Sequence, residues 1–329
     1  MSSALRHSMK AIPAIAIAMT VAVLPARAQA PEALVEAAKA EGSATVYTNI
    51  DPGIMQSLSE AFEEKYGVRI EVQRQGSSAL AQRFMAEDQS GNSLADVYYS
   101  TDRGFHEDRA ADGKFAALDE VPGLAEWPEK AKQKGMVTVG YNPYSIVWNK
   151  TLFPEGLKSW EDLVNPKLAG KIMLTDPRSG VTSNQFYKML RDLYGDEFLQ
   201  KLGKMATYSQ SAVPGIQQVA GGAQTVYAPG IHQVIVGLVK NGAPLDESFP
   251  SPTISSDNMI SLVAKAPHPN AGKLFISFLL TPEAQSLNNP DGFSPIEGVP
   301  NTRKMPDVRV IDPRAAKAES DAMYRLMGL

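Results

Sequence analysis

The 329-residue chain contains no cysteine. That excludes thiol nucleophiles, thiolate metal sites, disulfides and a lipid-modified cysteine anchor. Histidine is scarce: His7 lies in the first thirty residues, and His106, His232 and His268 are the three beyond them. None belongs to an HExxH pattern, and neither a GxSxG elbow nor a GxxxxGK[ST] phosphate loop occurs. A nucleophile and its base would have to be assembled from distant residues, so the expectation is a protein that is not an enzyme and needs no cofactor. Past residue 30 no apolar run approaches the roughly eighteen residues of a membrane-spanning helix, and there is no internal repeat or low-complexity segment.

What is present begins with MSSALRHSMK, which is basic, AIPAIAIAMTVAV, which is apolar, and ARAQA, with small residues at alternate positions. This order reads as a secretory signal peptide over residues 1–30, cut after Ala28 or Ala30. Cleavage would remove Arg6, Lys10 and Arg27 and no acid, taking the formal net charge from −4 to −7. A mildly acidic exported chain is a poor partner for nucleic acid. The remaining residues exceed what one core usually holds, which favours two domains.

From Ser43 onward strands and amphipathic helices alternate: SATVYT, a helix over Pro52–Tyr66, VRIEVQ, a helix from about Ser78 to Gln89, then ADVYYS. This is the βαβαβ order of a parallel sheet. In the first helix Ile54, Met55, Leu58, Ala61 and Phe62 fall on one stripe, with Asn49 or Asp51 at the cap, Pro52 at the opening and Gly67 at the close. VTVGYNPYSIVWNK reads as a long extended passage, broken at Asn142-Pro143, that carries the chain out of this unit. A second alternating unit follows: KIMLTDP, helices over 182–194 and 196–205, ATYSQ, a helix from Val213, AQTVYAP and a helix over Ile231–Lys240. The expected architecture is α/β with two lobes, mostly parallel sheets, crossover strands and a cleft between the lobes. Ligands collect beyond the carboxyl ends of such strands.

Four strand-to-helix junctions would face that cleft: Thr48 and Asn49 after β-strand SATVYT; Gly76, Ser77 and Ser78; Thr101 and Asp102; and Asp176-Pro177-Arg178-Ser179-Gly180. Hydroxyls and the free amides of a first helical turn suit an anion, although Ser and Asn at such places are more often plain helix caps. The fourth junction adds in Arg178 a planar fork of donors matched to phosphate, phosphonate or carboxylate. Tyr47, Tyr98, Tyr99, Tyr144 and Tyr227 stand at or near strand ends; alternation along a strand puts one of Tyr98 and Tyr99 in the core. Tyr144 and Tyr227 are the phenols expected at the ligand.

Together the signal peptide, ATVYTNIDPGIMQSLSEAFEEKYGVRIEV, ADVYYSTDRG, WNKTLFPEGLKSWEDLVNPKLAGKIMLTDPRSG and NAGKLFISFLLTPEAQ resemble the extracellular solute-binding proteins of ABC importers. The likeness spans nearly the whole chain after residue 30 and is nearest the branch of ferric-iron binders that also holds binders of phosphonates, sugar phosphates and thiamine. It implies two lobes that close on one solute and deliver it to an inner-membrane ABC permease, a periplasmic location, and a chain that works as a monomer. It also implies an anion on the loop matching Ser179, Gly180 and Val181. Iron-binding members hold their metal with two adjacent tyrosines, often with a carboxylate or histidine from the first lobe. Here the tandem position reads Val226-Tyr227-Ala228, and Thr101 stands where the acid is expected. One phenolate is a thin ligand set for a hard trivalent cation, so no metal is expected. The solute is then a small organic anion, with ferric iron plus a synergistic anion as the alternative. The expected boundaries are 1–30 for the signal, 31–140 plus 246–329 for the first lobe and 141–245 for the second, with the tail after Pro300 unassigned in role.

Overall fold

A computed structural model describes residues 30–329; the expected signal peptide lies outside the described residues. The first part of the chain forms α1 (Glu32–Glu41), β1 (Ser43–Thr48), α2 (Pro52–Tyr66), β2 (Arg69–Arg74), α3 (Ser77–Ser90), β3 (Val97–Ser100), α4 (Arg103–Ala111), β4 (Lys132–Gln133) and β5 (Met136–Gly140). It crosses into β6 (Ser145–Asn149), β7 (Ile172–Thr175), α5 (Val181–Met205), β8 (Ala206–Ser209), α6 (Ala212–Ala220), β9 (Val226–Gly230), α7 (His232–Lys240) and β10 (Leu245–Ser248). It then returns through β11 (Asn258–Leu262), α8 (Pro269–Leu279) and α9 (Pro282–Asn288), and ends in α10 (Pro313–Ala318) and α11 (Ser320–Leu326).

Two sheets result, ordered β2-β1-β3-β11-β5-β4 and β10-β6-β9-β7-β8. Strands β1, β2 and β3 pair in parallel, as do β7, β8 and β9, while the strands next to the crossovers, β6, β10 and β11, pair antiparallel. The inner strands β1, β3, β7 and β9 are largely buried, whereas the edge strands β2 and β8 are partly exposed. In β1, Ala44 and Val46 join the core under α1, α2 and α8, and Tyr47 turns to the opposite core with Leu80, Phe84 and Tyr98. The same alternation sends Tyr99 to the first core and Tyr98 to the second, so both tyrosines are interior.

Local chemistry explains the element ends. The Asp51 carboxylate accepts from the Gly53 and Ile54 amides at 2.8 and 3.2 Å, Pro52 opens α2, and Gly67 closes it at φ 70°. Met55, Leu58 and Phe62 are buried, with Ile54 and Ala61 packed beside them. Helix α5 is two helices end to end: Gly195 interrupts it at φ 80°, ψ 179°, a region closed to residues with a Cβ.

The tail departs from the boundaries read from the sequence, which put 246–329 with the first lobe. Met323 and Met327 belong to the core of the second, Gln185 donates to the Ile311 carbonyl, and Arg191 pairs with Glu319 at 2.8 Å. The backbone at Met327 lies so close to Gly203 that a Cβ there would stand 2.6 Å from it. Helices α10 and α11 are thus fastened along α5. Among the described residues no helix is long and apolar enough to cross a membrane.

Candidate functional site

Two crossover segments run side by side between the sheets. Tyr144 donates its amide to the Ile254 carbonyl, the Asn142 amide donates to Ser255 Oγ, and the Asn142 side chain donates to the Ser256 carbonyl and to Asn258 Oδ1. The tail adds a third strand to this hinge, for Thr253 exchanges backbone bonds with Asp307 and Arg309. Against this hinge lies a cavity of about 270 Å³ lined from the first lobe by Asn49, Ile50 and Thr101 and from the second by Tyr144, Ile231 and Gln233. A second cavity of about 440 Å³ shares Thr101 and Ser256 with it and reaches Ser77, Arg103, Thr182, Asp257 and Pro313. The two are halves of one interlobe cleft.

The first-lobe wall is knitted by Asn49. Its Oδ1 accepts from the Thr101 amide at 3.2 Å, which fixes the orientation of the side-chain amide, and its Nδ2 donates to Ser77 Oγ at 2.8 Å and Thr101 Oγ1 at 3.0 Å. Both hydroxyl oxygens accept, so both hydroxyl protons are directed away from Asn49. Three of the residues singled out in the sequence therefore form one cluster of donors. Gly76 precedes α3, which has no side-chain cap, and Ser78 is exposed in its first turn.

Thr48 is fully buried and structural, its hydroxyl accepting from the Ile50 amide at 3.0 Å; Asp102 caps α4 by accepting from the Phe105 amide at 3.1 Å and also lines the second cavity beside Thr101. On the second lobe, Gly180 precedes α5 in extended backbone and that helix also lacks a side-chain cap. Its first helical bond runs from Asn184 to Gly180, which leaves the amides of Val181, Thr182 and Ser183 without a helical acceptor. Thr182 lines the cleft, and Ser179 is exposed with its hydroxyl 3.0 Å from that of Ser183. Tyr144 lines the cleft too, its phenol pushed well above the usual range by burial.

Two expected ligand residues stand elsewhere. Arg178 donates from Nε and Nη2 to both oxygens of Asp176, at 3.0 and 2.7 Å, and neither cleft cavity includes it. Asp176 is buried and also accepts from Gln210, and the Arg178 fork holds its carboxyl below the usual range. Tyr227 has no exposure: α6 passes over its ring at Gly215, where a Cβ would stand 2.1 Å from the ring edge, and its hydroxyl bonds Thr175 Oγ1 at 2.6 Å. Burial pushes that phenol up to about 12. Neither cleft cavity is lined by this phenol, and among the described residues no group of three or more His, Asp or Glu comes together to hold a metal.

Sequence reading missed Asn142, Ser256, Asn258 and Gln233, which line the cleft. The break at Asn142-Pro143 was the available signal for the first; the others lie on the return crossover and on α7, whose pairing across the hinge is tertiary. His232, at the start of α7, is spent structurally: Nε2 donates to the Asp291 carbonyl of the first lobe and Nδ1 bonds Glu247.

This two-lobed frame with a hinged cleft is that of the periplasmic binding proteins. Residues 44–294 match the family of bacterial extracellular solute-binding proteins, and the chain belongs to that family. It is a solute-binding protein of the ABC import class, whose members bind a small solute and work with an ABC permease. A Haemophilus influenzae protein of uncharacterized function is 26% identical over 298 residues, 85% of this chain and 84% of its own. Among solved structures, iron-bound HitA from Pseudomonas aeruginosa is similar at TM-score 0.68 and 18% identity, over 87% of this chain and 99% of that one. AfuA from Actinobacillus pleuropneumoniae, with fructose-6-phosphate bound, is similar at TM-score 0.63 and 23% identity, over 88% and 97%. At these identities the two structures establish the fold alone.

Proposed function

We propose that the protein is exported to the periplasm, captures a small organic anion between its lobes, and hands it unchanged to its permease as a monomer. The anion is a phosphate ester, phosphonate or carboxylate. The observation that carries this reading is the Asn49 network. By donating to both Ser77 Oγ and Thr101 Oγ1 it occupies one lone pair of each and leaves both hydroxyl protons free to donate to the cleft. A wall of donors suits a ligand group that only accepts. Across the cleft the uncapped first turn of α5 supports it, since free amides and the helix dipole favour negative charge. The fructose-6-phosphate in AfuA is an anion of this kind. Closure of the lobes would then be driven by the solute's preference for the closed form.

Thermal-shift measurements with inorganic phosphate, fructose 6-phosphate, 2-aminoethylphosphonate, citrate and ferric citrate test this. At a hundredfold excess over Kd a bound ligand adds about 2.7 kcal/mol, a readily resolved rise in Tm. At least one of the iron-free anions is expected to stabilise the protein. Stabilisation by ferric citrate alone would refute the reading in favour of iron.

A further inference from the structure

Of the described residues that line the two halves of the cleft, Arg103 alone carries a fixed positive charge. It opens α4, two residues after Thr101, and lines the half of the cleft that also holds Ser77. Its Nη2 donates to Asp257 Oδ2 at 2.7 Å, and its Nη1 stands 3.7 Å from the Glu107 carboxylate, beyond hydrogen-bond range. Among the described residues the bond to Asp257 is its one side-chain hydrogen bond, so one of five N–H donors is engaged, on one oxygen of one acid. Arg178 differs on both counts: it gives Nε and Nη2 to both oxygens of Asp176 and lines neither half. Asp257 immediately precedes β11 and its side chain is only 12% exposed, so the tether fixes the guanidinium against the return crossover of the hinge.

The surroundings favour an anion at this guanidinium. The first turn of α4 holds no acid, and a cation there stands at the positive end of the helix dipole, an unfavourable place that a bound anion makes favourable. Thr182, in the uncapped first turn of α5, lines the same cavity from the second lobe.

We propose that Arg103, tethered by Asp257, is the cation that recognises the solute's anionic group, acting beside the hydroxyls of Ser77 and Thr101. The inference rests on the anionic reading of the cleft and adds the residue that makes it selective for charge. It assigns the phosphate, phosphonate or carboxylate group to the half of the cleft between α4 and the start of α5, where closure brings donors from both lobes onto it. The neutral remainder of the solute is left to the amide side chains of the other half, Asn142 and Gln233.

The test is calorimetric titration of the full chain with inorganic phosphate, fructose 6-phosphate, 2-aminoethylphosphonate and citrate. Arg103→Gln is expected to weaken whichever of these binds by about tenfold or more, the range for loss of a charge-assisted contact. Arg103→Lys should recover part of that, since a lysine keeps the charge and loses the fork. Asp257→Asn keeps an acceptor oxygen for Nη2 and removes a negative charge close to the anion, so it should bind more tightly than wild type. A pair that only braces the hinge predicts otherwise: Arg103→Gln and Asp257→Asn would then weaken binding alike, and that result overturns the assignment. Equal affinity for Arg103→Gln and wild type overturns it too, as does a loss confined to Arg309→Gln/Arg314→Gln, the tail arginines of an adjoining cavity. A wild-type protein that binds none of the four probes overturns the anionic reading itself. Circular dichroism and Tm of the Arg103 and Asp257 variants separate lost binding from lost folding.

Discussion

The guanidinium of Arg178 and the carboxylate of Asp176 form a two-point pair within one turn, with the acid buried and the arginine half exposed. The acid also accepts from the Arg178 amide and from Gln210, so it is the hub of the junction before α5.

Asp176→Ala is expected to destabilise the fold by about 2 kcal/mol, the cost of leaving several donors without their acceptor. Arg178→Ala should lower Tm as well, by less, because Gln210 remains. The pH dependence follows from the pair. The folded Asp176 carboxyl lies below its unfolded value, so its contribution is present above the unfolded range near 4 and is lost as pH falls through the folded one. The Tm gap between wild type and Arg178→Ala should therefore narrow below about pH 4. A constant gap from pH 7 to 3 would show that the pair contributes no linkage.

Tyr227→Phe is expected to leave solute binding intact and to cost about 1 kcal/mol, as the buried Thr175 hydroxyl loses its partner. The folded phenol titrates at about 12, above its unfolded value, so it stabilises the protein below about pH 10 and this is lost as pH rises toward 12. Chemical denaturation from pH 8 to 11.5 should show a shallower alkaline decline in the variant than in wild type. A visible charge-transfer band with ferric citrate that disappears in Tyr227→Phe would contradict the buried placement.

What could be read from the chain, and what could not, divides along a physical line. The α2 cap at Asp51, the stripe of Met55, Leu58 and Phe62, and the stop at Gly67 are local, and alternation within β1 and β3 is local too. Tyr144 does line the cleft, and Tyr227 is a different case. Tyr227 does end a strand, but whether a phenol there meets solvent depends on α6, which Gly215 lets settle on the ring. Arg178 likewise sits at a helix start, and in the fold the acid two residues earlier takes its fork. Asn49, Ser77 and Thr101 come from three junctions separated by 28 and 52 positions, and their convergence is a property of strand order.

Gly195→Ala tests the break in α5. Gly195 holds φ 80° and ψ 179°, which a Cβ makes costly, and the space around it is open, so the penalty is conformational and not steric with neighbours. A loss of about 1–3 kcal/mol in urea denaturation is expected, with an unchanged m-value. A gain in stability, as a continuous helix would give, would show that the two halves of α5 are free to straighten.

The tail offers the last prediction. Tyr324 Oη donates to Asn184 Oδ1 at 2.9 Å and approaches the Pro177 carbonyl at 3.4 Å, so α11 touches both sides of the junction that opens α5. Met323, fully buried beneath it, anchors the contact in the second-lobe core. Met323→Ala should cost about 2–5 kcal/mol by the cavity it leaves. Tyr324→Phe removes only the polar contact and should leave global stability within about 1 kcal/mol. If α11 holds this junction in place, hydrogen exchange of the amides at 181–184 should accelerate in Tyr324→Phe while the amides of β1 and β3 keep their wild-type protection. Unchanged exchange at 181–184 would mean that Asp176 alone sets the junction and that the tail serves only the core.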